Sequence, residues 1–316
     1  MIEKEKLVTL FMLVTDRDCM IADYTISSYL KIYKQRKTFG YQDFVLFIYL
    51  NCLSERNILK YKEKWASYPY TSIFDNAEKI SASERPYPGQ PLVSPEGVAR
   101  SYDDYAESYD ELWSTELVKF RTPFVATVDA DFEVLHADFY FYLFGQLEQH
   151  ADLIAASSNY NGTALIYDSY SKRNIILNER NHTWFCIYRK EAFSISSRSH
   201  YYFETHTSKG EISAYDSGAY FQHDLRTNHH YKFAALPKKF NCSYIHYGAA
   251  SKNRSLNSGN VGFYRRAVIL HAVGLVYGSE NKLSCWINKI TRKIAGVLFA
   301  TYLNKITVER SSYIYA

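Results

Sequence analysis

Continuous apolar runs of strand length alternate with amphipathic stretches along the first part of the chain. Leu7 to Val14 is the first run and ends in the polar turn Thr15-Asp16-Arg17-Asp18. Phe44 to Leu50 is the second, punctuated by Asn51 and Ser54, and Ser72 to Asn76 is a shorter third with a polar exit. Runs that are apolar at every position are what strands buried on both faces require. Between them, Tyr24 to Lys34 places Ile26, Tyr29, Leu30 and Tyr33 on one helical face, with Asp23 as the expected cap, and Glu55 to Trp65 also reads as helix. This β-α-β-α-β order predicts a parallel sheet with crossover helices.

A turn-rich loop at Tyr87 to Gly97 interrupts the pattern, and helix is expected again from Tyr105 to Phe120. Pro123 stops that helix, because proline disfavours helix in the residue before it. The run Phe124, Val125, Ala126, Val128 then reads as a buried strand whose C-terminal end carries two carboxylates, Asp129 and Asp131. In open α/β sheets, ligands bind outside the carboxyl ends of the strands. Two carboxylates there repel unless a cation sits between them and a ligand. Hard divalent ions take carboxylate oxygens and keep positions open for phosphate. Further on, Asp138 to His150 is helical, Leu153 to Ala156 begins a strand, and Asn159 to Glu179 is a polar, tyrosine-rich pair of strands or a surface excursion. Asn181 to Arg189 alternates as a strand. Tyr215 to Leu225 is a turn into a helix, and Phe233 to Leu236 and Asn241 to Ile245 are short strands followed by His246.

At 316 residues with 47% apolar residues, the chain has ample material for one large α/β domain or two small ones. A net charge of +4 is too small to argue for nucleic acid. Five scattered cysteines without a CxxC pair indicate neither zinc nor a redox motif, and fit a reducing compartment. The charged start followed by a strand-length run gives no signal peptide, and no apolar run reaches the length of a membrane span. A cytoplasmic location is therefore expected.

The ordered series of Rossmann-like strands, the strand running into Val128-Asp-Ala-Asp131, the Tyr215-Asp216 turn and the downstream His246 resembles the GT-A glycosyltransferases. Within these it is closest to the inverting, bacterial family-two-like enzymes, and the resemblance covers about residues 6 to 255. The segment His182-Thr-Trp-Phe-Cys-Ile-Tyr-Arg189 also looks like the strand before the acceptor region of some of them. The resemblance implies an α/β GT-A fold with a mixed, mostly parallel central sheet flanked by helices. It divides the chain into a glycosyltransferase domain at 1-258, with a nucleotide-binding half at 1-132 and an acceptor-binding half at 133-258, followed by a helical extension at 259-316.

It also implies roles. Asp131 would ligate Mn²⁺ or Mg²⁺ on the diphosphate of a nucleotide sugar, Asp129 would bind the ribose or the metal through water, and His246 would be the third ligand. Asp216 would be the base that deprotonates the acceptor hydroxyl, with helix capping as its alternative role and Glu211 and Asp224 as rivals. Thr15, Asp16 and Arg17, together with Asp75 accepting from uracil N3–H, would bind the nucleotide, for which UDP is favoured. Arg100 would meet the diphosphate, with Lys252 and Arg254 as alternatives. The acceptor would be a glycan or a lipid-linked glycan. A nucleotidyltransferase of similar fold and a non-catalytic carbohydrate-binding or scaffold protein are the competing assignments.

The last stretch differs in character. Phe263 to Tyr277 is apolar and helical, and 281–305 places Trp286, Ile290, Ile294, Val297, Leu298 and Tyr302 opposite Lys282, Lys289, Arg292, Lys293 and Lys305. Such a basic amphipathic helix lies in a membrane interface, packs on the core or joins a homodimer.

Overall fold

The computed structural model describes residues 8–14, 18–40, 44–50, 55–75, 91–94, 97–100, 120, 122–168, 173–196, 198, 202–216, 218–240, 243–247, 259–266 and 268–269. The expected helix from Tyr105 to Phe120 lies almost wholly outside these residues, and 281–305 lies entirely outside them.

The first half supplies β1 (Val8–Val14), α1 (Cys19–Ser28), α2 (Leu30–Thr38), β2 (Phe44–Leu50), α3 (Glu55–Trp65), β3 (Thr71–Asp75), β4 (Pro91–Ser94), β5 (Gly97–Arg100), β6 (Phe124–Asp129) and β7 (Phe132–Val134). Then follow α4 (Asp138–Gln149), β8 (Leu153–Ser157), β9 (Tyr160–Asn161), β10 (Ala164–Asp168), β11 (Arg173–Leu177), β12 (Arg180–Asn181), β13 (Phe185–Arg189) and α5 (Ala192–Ile195). The last elements are β14 (Tyr202–His206), β15 (Ile212–Tyr215), α6 (Ala219–Thr227), β16 (Lys232–Ala235) and β17 (Tyr244–His246).

Seven strands form the central sheet in the order β16-β8-β13-β6-β1-β2-β3. The pairs β1–β2, β2–β3, β1–β6 and β16–β8 are parallel. Strand β13 alone runs against its neighbours β6 and β8. This is the mixed, mostly parallel α/β sheet expected. Every residue of β1 is buried, as the unbroken apolar run demands, and β6 is buried up to its last residue. Thr9 and Thr122 bridge their hydroxyls at 3.1 Å, so the polar atoms beside this core are paired. A six-stranded sheet, β10-β11-β15-β14-β5-β4, accounts for the tyrosine-rich middle as a pair of strands, and β17 pairs with β7 in a separate ribbon.

The first helix differs from the expectation. It starts at Cys19, so Asp23 lies inside it and is not its cap. The Asp18 carbonyl accepts the Ile21 and Ala22 N–H groups at 3.0 and 2.8 Å, and burial of Cys19, Ile21 and Ala22 sets the start. Ahead of Tyr24 the sequence has no strong apolar periodicity, which is why the pattern placed the start too late.

The contacts group into two compact units. The first comprises residues 1–16, 33–129 and 138–236 and holds the central sheet. Its core gathers Phe11, Leu13, Phe47, Tyr49, Val125, Ile154, Cys186, Tyr188, Phe221 and Leu225. The second comprises 17–32, 130–137 and 237–316, with its own core of Ile21, Ile245, Tyr247, Val261, Tyr264 and Val268.

Candidate metal centre

Strand β6 delivers Asp129 from a position held on both edges. Asp129 pairs with Leu13 of β1, and its N–H donates to the Trp184 carbonyl at 2.9 Å. The Thr127 hydroxyl adds a 2.9 Å bond to the Thr183 carbonyl. A strand with neighbours on both sides cannot slip without moving every side chain to the wrong face.

Beyond Asp129 the chain is caught at once. The Thr25 hydroxyl donates to the Ala130 carbonyl at 2.6 Å, and the Tyr247 N–H donates to the Asp131 carbonyl at 3.0 Å. Strand β7 then pairs antiparallel with β17, placing His246 opposite Phe132. The Ser28 hydroxyl accepts the Val134 N–H at 2.8 Å, and Phe132 stacks on Tyr244 at 4.7 Å between ring centroids. The result is a buried Asp131 whose carboxylate lies 3.1 Å from His246 Nε2.

Asp129, Asp131 and His246 each offer one ligand atom, and these atoms all lie within 4.8 Å of one another. Donors about 2.1 Å from one octahedral ion are about 3 Å apart when adjacent and about 4 Å when opposite. The Asp131–His246 spacing already suits adjacent positions, and Asp129 has little distance to close. Two carboxylate oxygens and one imidazole nitrogen make a hard set with one borderline donor, fitting Mn²⁺ or Mg²⁺ better than a thiophilic ion. Three protein donors leave the remaining octahedral positions to other oxygens. The residues present therefore fit a divalent cation.

The other expected site residues fall as follows. Asp216 ends the turn before α6, and its carboxylate lies 2.7 Å from the Arg180 guanidinium. Its backbone carbonyl accepts the Ala219 N–H at 2.7 Å at the start of α6. The N-cap is Gly218, at φ 79°, a backbone conformation open to glycine. Glu211 is exposed. Asp224 is tied to the Ser196 hydroxyl at 2.6 Å and to the Asn228 amide at 2.7 Å within the fold. Asp75, at the end of β3, pairs with Lys62 of α3. The backbone of Arg100 closes β5, opposite Tyr202. Thr15, Asp16, Arg17, Lys252 and Arg254 lie outside the described residues.

Two groups of residues escaped the sequence pattern. One is a buried polar knot beside the 181–184 turn. Gln222 accepts the Asn181 N–H at 2.7 Å and donates to the Asn181 carbonyl at 2.8 Å and the Tyr188 hydroxyl at 2.9 Å. Arg226 donates to the Asn181 side chain and stacks over Phe233 at 4.2 Å. Burial pushes the Tyr188 hydroxyl well above its usual pKa and the Cys186 thiol up to about 12. The second group surrounds Glu133. Its carboxylate, 1% exposed, accepts from the Tyr247 hydroxyl at 2.5 Å and from Arg265 Nε at 2.7 Å, with Arg265 Nη2 on its other oxygen. Burial, followed by the Glu133 charge, raises the Tyr247 pKa, while the Glu133 hydrogen bond raises that of Arg265. The alternation around Glu133 marks it as a strand residue, but nothing local signals a partner 132 positions away.

No model of a known protein family matches the chain, and no curated protein matches it. Among solved structures, it is similar to 4-diphosphocytidyl-2C-methyl-D-erythritol synthase from Anaerococcus prevotii, at 8% identity over 74% of this chain and 89% of that one, TM-score 0.40. It is similar to the bifunctional glycosyltransferase WbbM at 11% identity over 85% of this chain and 45% of that one, TM-score 0.39. It is also similar to S. aureus TarS in complex with UDP-GlcNAc, at 11% identity over 93% of this chain and 74% of that one, TM-score 0.31. Among the described residues, no helix is long and apolar enough to cross a membrane.

Proposed function

We propose that the chain is a metal-dependent glycosyltransferase that moves a sugar from a nucleotide sugar, a UDP-sugar first, to a glycan or lipid-linked glycan acceptor with inversion. The observation that carries this reading is the convergence of the Asp129, Asp131 and His246 ligand atoms within 4.8 Å of one another. The parallel sheet with both carboxylates at the exit of a buried strand supports it, since that end of such a sheet is where ligands bind.

Asp131 and His246 would hold the cation directly, and Asp129 would hold it or the donor ribose. When bound, the cation would supply positive charge to offset the negative charge developing on the departing nucleoside diphosphate. Asp216 would take the proton from the acceptor hydroxyl as its oxygen bonds to the anomeric carbon. The bond from that carbon to the diphosphate oxygen breaks with its electron pair leaving on the diphosphate. Arg180, beside Asp216 at 2.7 Å, would hold this carboxylate in place before the acceptor arrives.

A thermal-shift series with nucleotide sugars, with and without Mn²⁺, tests the reading. A ligand that binds only the folded state raises the melting temperature. The expected result is a rise with a UDP-sugar that requires Mn²⁺. A rise with nucleoside triphosphates alone would move the assignment to nucleotidyl transfer. No rise with any nucleotide sugar at millimolar concentration would overturn it.

A further inference from the structure

Glu133 is the most deeply buried carboxylate near the candidate metal centre, and it is not one of the expected ligands. It stands in β7, two residues after Asp131, and it takes a hydrogen bond from Tyr247, the residue next to His246. Its other oxygen is held by Arg265, which also lies over the Tyr24 ring at 5.1 Å. Tyr247 is fastened a second time, through its N–H on the Asp131 carbonyl. Arg265 belongs to the helical residues 261–266, whose Val261 and Tyr264 are buried in the same core as Tyr247. The ribbon of β7 and β17 is only three residues long on each side. Three pairs do little to hold a ribbon without side-chain packing, and isolated hairpins are marginal.

We propose that Glu133 is a positioning residue of the metal centre: through Tyr247 and Arg265 it locks the β7–β17 ribbon so that Asp131 and His246 face one ion in the same geometry before any ligand arrives. This rests on the metal reading above. A carboxylate is suited to the task because its two oxygens together accept from the ribbon's Tyr247 and from both edges of the Arg265 guanidinium. The guanidinium forks over both oxygens, a planar geometry that lysine cannot reproduce. Arg265 also neutralises Glu133, so the lock adds no net negative charge that would compete for the cation.

The test is Mn²⁺ binding alone, read by electron paramagnetic resonance of free and bound ion in the full chain. Wild type should bind, and Asp131→Ala should not; failure of wild type to bind would sink the metal reading itself. Given wild-type binding, Glu133→Gln should weaken Mn²⁺ at least about tenfold, the usual scale for groups that orient metal ligands. It should also broaden the spectrum of the bound ion. Tyr247→Phe, which spares the Glu133–Arg265 pair, should weaken Mn²⁺ less than Glu133→Gln does. A core variant elsewhere, Ile154→Val, matched to the same loss of melting temperature, should keep wild-type affinity. Wild-type affinity and spectrum in a folded Glu133→Gln protein would overturn the proposal. Should Glu133→Gln not fold, an unchanged affinity in Tyr247→Phe would overturn it instead.

Discussion

The Asp131 carboxylate and the His246 imidazole lie 3.1 Å apart, although 115 residues of chain (246 − 131) separate them. The antiparallel pairing of β7 with β17 brings them together, and the Tyr247 N–H on the Asp131 carbonyl closes the end of that ribbon. Both side chains sit with little exposure.

Asp131→Ala removes a carboxylate from this pair and should abolish Mn²⁺-dependent donor hydrolysis and transfer, while far-ultraviolet circular dichroism stays that of wild type. The fold should survive because Asp131 holds the ribbon through its backbone carbonyl, which alanine retains. Wild-type turnover in this variant would exclude a metal role for Asp131.

Asp216→Asn should remove transfer and leave donor binding in calorimetry intact. Asparagine keeps the side-chain shape, an oxygen acceptor and the backbone carbonyl that takes the Ala219 N–H, so the start of α6 should hold. What is lost is a partly exposed ion pair with Arg180, of a kind that contributes about 1 kcal/mol at most. Full transfer activity in this variant would exclude Asp216 as the base.

Gln222→Leu should destabilise the fold strongly. It removes the side-chain partner of the buried Asn181 N–H and C=O, each lost bond costing about 1–3 kcal/mol, and takes one partner from the Tyr188 hydroxyl. Equilibrium urea denaturation should show a lower midpoint with an unchanged slope. Donor affinity should fall too, because Asn181 begins the turn whose Trp184 carbonyl receives the Asp129 N–H.

His223 gives stability a pH-dependent contribution near neutrality. Burial, helped by the neighbouring Arg226 charge, lowers the His223 pKa below its ordinary 6.5, so the folded state holds His223 neutral. The unfolded chain then binds more protons as the pH falls through 6.5, and stability should decline on acidification from there until the folded pKa is passed. Above that window the contribution is complete. His223→Gln should flatten the slope between pH 7 and 5 in denaturant melts, and an identical slope would exclude His223 as its source.

Cys186 should resist alkylation in the native protein. Its thiol is wholly buried and pushed up to about 12, so almost no thiolate forms at neutral pH. Labelling with iodoacetamide should proceed at this residue only when denaturant unfolds the central sheet, as peptide mapping would show.

The central sheet was legible in the sequence where burial on both faces forces apolar side chains at most positions, as in β1, β2 and β6. The grouping of Asp129, Asp131 and His246 could be anticipated because a carboxylate pair after a buried strand is a local signature, while His246 came from the resemblance to the GT-A enzymes. The reversal of β13 was not, because its alternation fits either direction. The start of α1 was missed because Asp23 has a capping side chain, while the true start rests on the Asp18 backbone. Glu133 with Arg265, Arg180 with Asp216, and Gln222 with Asn181 are joined across the chain. Each partner alone reads as an ordinary polar residue on a strand, turn or helix.

The two-edged pairing of β6 has a consequence for time as well as for shape. The Asp129 amide is bonded to a carbonyl of the 181–184 turn at the end of a strand with neighbours on both sides. Its hydrogen should therefore exchange with solvent only when the whole sheet opens. The main chain at Asp129 then keeps its place for as long as the protein stays folded, so any ligand reaching this strand end would meet a backbone already set.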